Sequence, residues 1–340
     1  MKSLNRRTFA TAVAASSLAP AVLRNTAFAQ DDWTSETLQI MAPASPGGGW
    51  DSTAREIQRN LQEAGLVETV EVFNVEGAGG TIGLADLASR HSGDGHMMMV
   101  MGLVMIGAIG LNQAPVGLDQ STPIARLTGE WEVIVVPAAS ELETIDDLMA
   151  MFKEDPASVS WAGGSAGGTD HLLVGLIAQD QDVDTSLINY VPFSGGGEAL
   201  SSLLGNETTA GVSGIGEWLP QIEAGELRAL AVSGRDEGAD ESIPTLIESG
   251  IDVELSNWRG IVAPPEIDDA DRDAMIETIT ALNDTEEWTS TLDNFDWSNQ
   301  FMAGDEFVAF LEEEKERVNT ILTELGLLVT DDEDEEEDEG

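Results

Sequence analysis

Four glycine-rich turns constrain this chain more than any other feature. They are Pro46-Gly47-Gly48-Gly49, Gly77-Ala78-Gly79-Gly80, Gly163-Gly164-Ser165-Ala166-Gly167-Gly168 and Ser194-Gly195-Gly196-Gly197. Each follows a short apolar run and opens an amphipathic one, so each reads as a strand–turn–helix junction. In an open α/β sheet such turns lie beyond the carboxyl ends of the strands, where ligands bind. A helix N-terminus there offers unpaired N–H groups and the positive end of its dipole, and glycine lets backbone come close to an oxygen. Four such turns imply a site for an anion with several oxygens, and two crevices facing each other would form a cleft.

Apolar runs predict strands at Leu38 to Ala42, Val70 to Val75, His96 to Val100, Val133 to Pro137, Val159 to Ala162, Leu187 to Val191, Thr208 to Val212 and Leu227 to Val232. Helical periodicity predicts helices at Trp50 to Ala64, Ile82 to Arg90, Thr144 to Phe152, Thr169 to Gln179, Glu198 to Leu204 and Glu217 to Ala224, then Ala270 to Leu282 and Glu306 to Leu325. This alternation predicts α/β architecture with largely parallel sheets.

Residues 1–29 read as an export signal. Arg6-Arg7 precede an apolar run from Phe9 to Leu23, and Ala27-Phe28-Ala29 fits a cleavage site, with removal expected after Ala29 by the twin-arginine or general route. About 310 residues remain, enough for two domains. The run from Met97 to Leu111 is interrupted by Gly102, Gly107 and Gly110, and no other approaches the ~18–20 residues of a membrane span. Cysteine is absent, so disulfides, thiolate nucleophiles and a lipidated cysteine anchor are not expected. A freely diffusing periplasmic monomer is the expectation.

The formal net charge is −48, and without the signal's four cations it is about −52. Repulsion excludes nucleic acid and anionic membrane surfaces as partners. In molar salt the Debye length falls to about 3 Å, which would relieve the self-repulsion, so a salt-loving source is expected. The acidic run at residues 329–340 reads as a disordered solvating tail.

Enzyme readings fail on residue order. Gly77-Ala78-Gly79-Gly80-Thr81-Ile82 puts Ile82 where a dinucleotide fingerprint needs its third glycine, and the next strand carries Met97-Met98-Met99 where the ribose-binding acid belongs. Gly163-Gly164-Ser165-Ala166-Gly167 fits a nucleophile elbow, but the histidines are His91, His96 and His171, and none follows Ser165 at a distance that closes a triad. A secreted hydrolase using Ser165 is therefore the weaker alternative. No metal site is expected from three scattered histidines, and no cofactor.

Six segments, in order, resemble the substrate-binding proteins of tripartite tricarboxylate transporters. They are Pro46 to Arg55 (PGGGWDSTAR), Asn74 to Gly83 (NVEGAGGTIG), Ala162 to Leu172 (AGGSAGGTDHL), Asn189 to Leu200 (NYVPFSGGGEAL), Ala224 to Ser233 (AGELRALAVS) and Asn257 to Pro264 (NWRGIVAP). The resemblance covers Leu38 to Leu328. It implies a type II periplasmic binding protein fold, two doubly wound α/β lobes with a ligand cleft between them. Residues 30–130 plus 255–328 would form one lobe and 131–254 the other, with hinges near Thr128 to Val133 and Val253 to Trp258. It implies capture of a small di- or tricarboxylate, citrate-like, for delivery to membrane permease subunits. A sensory receptor of the same fold is the alternative.

By position, the resemblance assigns the ligand grip to Gly48, Gly49, Trp50, Asp51, Gly79 and Gly80. From the second lobe it assigns Ser165, Gly168, Thr169, His171, Ser194, Gly195, Gly196 and Ser213. Many members carry an acid where this chain has Ser213-Gly214, a departure that argues against an amino-acid ligand, although Glu217 is near enough to substitute in part. Arg55, Arg126, Arg228 and Arg259 fall in or near the matching segments, with roles open between ligand contact and ion pairing.

Overall fold

A computed structural model describes residues 33–193, 196–235 and 242–328. The expected export signal, the acidic tail, Ser194 and Gly195 lie outside the described residues. In chain order the elements are β1 (Thr37–Ala42), α1 (Gly49–Glu63), β2 (Thr69–Asn74), α2 (Thr81–Arg90), β3 (Met97–Gly102), α3 (Leu103–Leu111) and β4 (Thr122–Pro137). There follow α4 (Ile145–Glu154), β5 (Ser160–Gly163), α5 (Thr169–Asp180), β6 (Asn189–Pro192), α6 (Gly196–Leu204), β7 (Ala210–Gly214), α7 (Ile215–Glu223) and β8 (Leu227–Val232). The chain closes with β9 (Ser256–Ala263), α8 (Asp269–Asn283), α9 (Glu286–Phe295), β10 (Ser298–Ala303) and α10 (Asp305–Glu324).

Local chemistry accounts for these elements. The Thr144 hydroxyl accepts the Asp147 amide and Asp147 returns a bond to the Thr144 amide, a reciprocal cap that starts α4. Thr285 accepts the Trp288 amide to start α9, which stops at Asp296 with φ 52°. Strand β3, Met97–Gly102, is buried along its whole length. Its alternating side chains feed two cores: Met97, Met99 and Met101 enter one, Met98 and Val100 the other.

The sheet runs β2-β1-β3-β9-β4-β7-β5-β6, with β8 and β10 also paired to β4. Largely parallel pairing was expected, and the outer pairs β1–β2, β1–β3, β5–β6 and β5–β7 are parallel. The centre is antiparallel: β4 runs against β9, β10, β7 and β8, and β3 runs against β9. The reason is that β4 does not turn between halves but continues through both. Up to Trp131 its register partner is β9, and from Glu132 it is β7. The returning strand β9 must then run in the opposite direction.

Helix α10 binds the halves together. One apolar cluster joins Met99, Leu103 and Ile106 to Trp161, Leu172 and Ile177, with Val318, Ile321 and Leu322 of α10 among its members. Thr185 donates to the Glu324 carbonyl and Gln179 to the Glu324 carboxylate at 2.6 Å each. A Cβ placed on Gly107 of α3 would stand 2.9 Å from the Gly167 carbonyl, so the two backbones meet only because that side chain is missing.

A core shared between halves should melt as one unit. Leu322→Ala is expected to cost about 2–5 kcal/mol. Urea unfolding followed by tryptophan fluorescence and by far-UV circular dichroism should give coincident transitions in both proteins. Two separate transitions would contradict a shared core.

Candidate functional site

A cleft of about 610 Å³ lies among the described residues, within the range of small-molecule sites. Its first wall is the β1–α1 turn (Ala44, Gly47, Gly49, Trp50, Ser52), Val104 in the first turn of α3, and Asn294 to Trp297 across the end of α9. Its second wall is the β7–α7 turn, through Gly214, Gly216 and Glu217. Its floor is Glu130 of β4 with Asn257 and Arg259 of β9. Three helices of nine residues or more therefore begin at this cleft, α1 and α3 on one side and α7 on the other. Their first-turn N–H groups make it suited to an anionic guest.

The floor is a fixed charge cluster. Arg259 Nη2 pairs with Glu130 Oε2 at 2.8 Å, and Trp297 Nε1 donates to Glu130 Oε1 at 2.8 Å. The guanidinium carbon lies 4.9 Å from the centre of the Trp297 ring, and Phe295 stacks on Trp297 at 4.6 Å. The Arg259 side chain is only 8% exposed and that of Glu130 26%. A Cβ on Gly49 would come within 2.9 Å of Arg259 Nη2, so glycine at the start of α1 makes room for the arginine. Besides Arg259, the charged lining is Glu130, Glu217 and Asp296, more acid than base.

Of the residues expected to grip a ligand, Gly49 and Trp50 line this cleft. Gly79 and Gly80 line an adjoining cavity of about 400 Å³ that shares Ala44 and Trp50 with it. Gly48 is the N-cap of α1. Asp51 is buried and turned inward: it accepts the Gly47 amide at 2.8 Å, Arg55 Nε at 2.9 Å and Asn74 Nδ2 at 2.8 Å. The Arg55 hydrogen bond holds its pKa down to about 2. Asp51 thus braces the turn that presents Gly49.

In the second half, Ser213 Oγ donates to Glu217 Oε2 at 3.2 Å, which ties the Ser213 position to the cleft acid. The Gly196 carbonyl accepts Trp218 Nε1 at 3.1 Å. The Gly163–Gly168 turn is not part of the cleft lining, and its Gly167 packs on α3 instead. Gly168 is the N-cap of α5 and Thr169 is buried, its hydroxyl without a partner among the described residues. His171 is buried; its Nδ1 accepts the Gly167 amide at 3.1 Å and its ring lies flat on Tyr190 at 4.0 Å. Burial depresses its pKa to about 4, so it is neutral at pH 7. With Nδ1 committed to the backbone, His171 is not a base for the exposed Ser165.

Sequence reasoning left four arginines open, and only Arg259 reaches the cleft. Arg55 pairs with Asp51, Arg228 donates to the carbonyls of Ala138, Ser140 and Leu142, and Arg126 bonds the Gln300 carbonyl. The reading missed Glu130, Asp296 and Trp297. Their signal was weak, because they come from the middle of a long strand and from a short loop whose place is fixed only by sheet pairing.

Beneath the Gly163 turn lies a pair of carboxyls. Asp170 Oδ2 accepts the Gly164 amide at 2.5 Å, while Glu132 is 1% exposed and neither of its oxygens meets a donor among the described residues. Burial raises the pKa of Glu132 well above the usual range, with Asp170, Glu130 and Glu217 adding to it. Burial likewise lifts Asp170 to about 6. The folded pair therefore keeps a proton that the unfolded chain has released, and stability falls as pH rises from the unfolded value toward the folded one. His171 acts oppositely: it stays neutral in the fold, so stability falls as pH drops from 6.5 toward about 4. Comparing Asp170→Asn with the parent isolates the first effect. Its melting-temperature gain should be near zero at about pH 4 and grow toward about pH 7. A constant difference, or a loss at neutral pH, would refute the retained proton.

Comparison with known proteins places the chain by family and fold. Residues 53–327 match the family described as "Tripartite tricarboxylate transporter family receptor". Protein BugT of Bordetella pertussis is 31% identical over 244 residues, covering 70% of this chain and 73% of BugT. The crystal structure of a TctC solute binding protein from Polaromonas superposes with a TM-score of 0.73 at 22% identity, covering 85% of this chain and 98% of that one. A Rhodopseudomonas palustris protein solved with adipate has a TM-score of 0.69 at 20% identity, covering 85% and 97%.

Proposed function

The chain belongs to the tripartite tricarboxylate transporter receptor family, a family of solute-binding receptors rather than enzymes, and from that premise we propose that it captures a small di- or tricarboxylate in the periplasm and delivers it to the membrane subunits of such a transporter. One observation carries the reading: three helix N-termini and Arg259 converge from two walls and the floor on a single cleft. The adipate in the Rhodopseudomonas palustris neighbour supports a carboxylate guest.

We take residues 30–130 with 255–328 as one lobe and 131–254 as the other, closing about the middle of β4 and the approach to β9. Release after cleavage at Ala29, export by twin-arginine signal and adaptation to high salt belong to the same proposal, supported by Arg6-Arg7, Ala27-Phe28-Ala29 and the net charge of −48. The loop residues Gly48, Gly49, Trp50, Gly79 and Gly80 form the first grip, and Ser213, Gly196 and Glu217 the second. Within the substrate class, the acids Glu130, Glu217 and Asp296 favour the less charged ligands, because each added guest carboxylate meets a lining that is already acidic.

A thermal-shift screen in molar salt tests this. A ligand present at a hundred times its dissociation constant stabilises by about 2.7 kcal/mol. Linear dicarboxylates such as adipate should shift the melting point more than citrate. If neither dicarboxylates nor tricarboxylates move it, the assignment fails.

A further inference from the structure

A second cavity, of about 520 Å³, opens on the other face of the hinge strands. Successive side chains of a strand point to opposite faces. On β9, Arg259 lines the cleft and its neighbour Trp258 lines the second cavity; on β4, Glu130 lines the cleft and Trp131 the second cavity. The two cavities are therefore back to back across the same two strands.

We propose that this cavity is a binding site for a small oxyanion of the sulfate or carboxylate class, held by Arg126 and Arg317. Arg126 is half-buried and its orientation is fixed from two sides. Nε donates to the Gln300 carbonyl at 2.8 Å, and the guanidinium carbon sits 4.3 Å from the centre of the Phe310 ring. That carbonyl is its one hydrogen-bond acceptor, and no carboxylate lies within ion-pair distance of it among the described residues. Among the nine described arginines this is the exception: Arg228 has three carbonyl acceptors, and the others each have a carboxylate. In a chain with 63 acids and 15 basic side chains, a half-buried guanidinium with its terminal amino groups unengaged calls for an acceptor from outside.

Arg317 adds a second unmet donor. Its terminal amino groups reach Glu314 at 2.7 Å and the Glu254 carbonyl at 3.2 Å, but its Nε is buried with no acceptor among the described residues. Two acids, Glu254 and Glu314, also line the cavity, and Glu314 is already engaged at each oxygen, Oε1 by Arg317 and Oε2 by Trp258 Nε1 at 2.9 Å. A planar guanidinium held in one orientation suits two oxygens of a single anion. Because Trp258 and Arg259 are adjacent, a guest here touches the strands that carry the cleft floor, and any coupling between the two sites must be reciprocal.

The test needs no cleft ligand, so it stands or falls separately from the carboxylate assignment. Crystals grown without oxyanions and soaked in selenate should show anomalous selenium density within hydrogen-bonding distance of the Arg126 guanidinium. In solution, sulfate exchanged for chloride at constant ionic strength should raise the melting temperature with saturation. Arg126→Gln should raise the half-saturating sulfate concentration at least about tenfold, since hydrogen bonds to charged groups contribute about 1.5–3 kcal/mol. Arg317→Gln, an independent variant on the exposed side of the cavity, should weaken it in the same direction. Absence of selenium density at Arg126, or a sulfate response that is unsaturable and equal in parent and variants, would overturn the proposal. The second result is what general salting-out by sulfate produces.

Discussion

The fold depends on one constraint: a single strand, β4, serves both halves of the molecule. Its sixteen residues pair with β9 and β10 at one end and with β7 and β8 at the other. The point where its partner changes is flanked by Glu130, Trp131 and Glu132, and each does something different there. Glu130 fixes Arg259 on the cleft floor, Trp131 faces the rear cavity, and Glu132 lies under the Gly163 turn against Asp170. Removing one partner from a buried ion pair typically costs 3–5 kcal/mol, whereas the intact pair adds little net stability. The Arg259–Glu130 pair is therefore best understood as positioning. It holds a guanidinium over the Trp297 ring, at the base of a cleft whose rim is made of helix N-termini.

This resolves an electrostatic difficulty. An anion approaching a protein of net charge −48 is repelled at low salt. Inside the cleft, short-range donors act over a few ångströms while salt screens the distant acids, so attraction and repulsion have different ranges. The lining acids Glu217 and Asp296 are close enough to escape that screening. Under the proposed function they would limit guest charge, and Ser213 donates to Glu217 within the same turn.

Much of this was legible in the sequence, for reasons that differ by element. The strand–glycine–helix junctions at Gly47–Gly49 and Gly77–Gly80 were readable because glycine and apolar periodicity are local signals, and the helices they open begin within a residue of expectation. Helix α3 was not, because Leu103–Leu111 is nearly uniform in hydrophobicity and carries two glycines, so no face stands out. Its first turn lines the cleft nonetheless. The first half of β4 was missed because Arg126, Thr128, Gly129 and Glu130 interrupt its apolar pattern, and β10 because half of Ser298–Ala303 is polar and its apolar run is only three residues long. Arg259 could be located but not interpreted: its role depends on Glu130 and Trp297, which lie 129 and 38 positions away and meet it only through sheet register and the end of α9. Asp51, expected at the ligand, instead braces its own turn, since a residue in the first turn of a helix can cap backward as easily as reach outward.

A double-mutant cycle on carboxylate affinity, measured by calorimetry with the best dicarboxylate at molar salt, tests the central claim most directly. If Arg259 is the guest's cation and Glu130 acts only by holding it, Arg259→Gln should weaken binding at least about tenfold, since hydrogen bonds to charged groups contribute about 1.5–3 kcal/mol. Glu130→Gln should weaken it less, and the double variant should match Arg259→Gln alone, a clear departure from additivity. Parent-like affinity in Arg259→Gln, or losses that simply add, would show that the charge cluster beneath the cleft belongs to the scaffold and not to recognition.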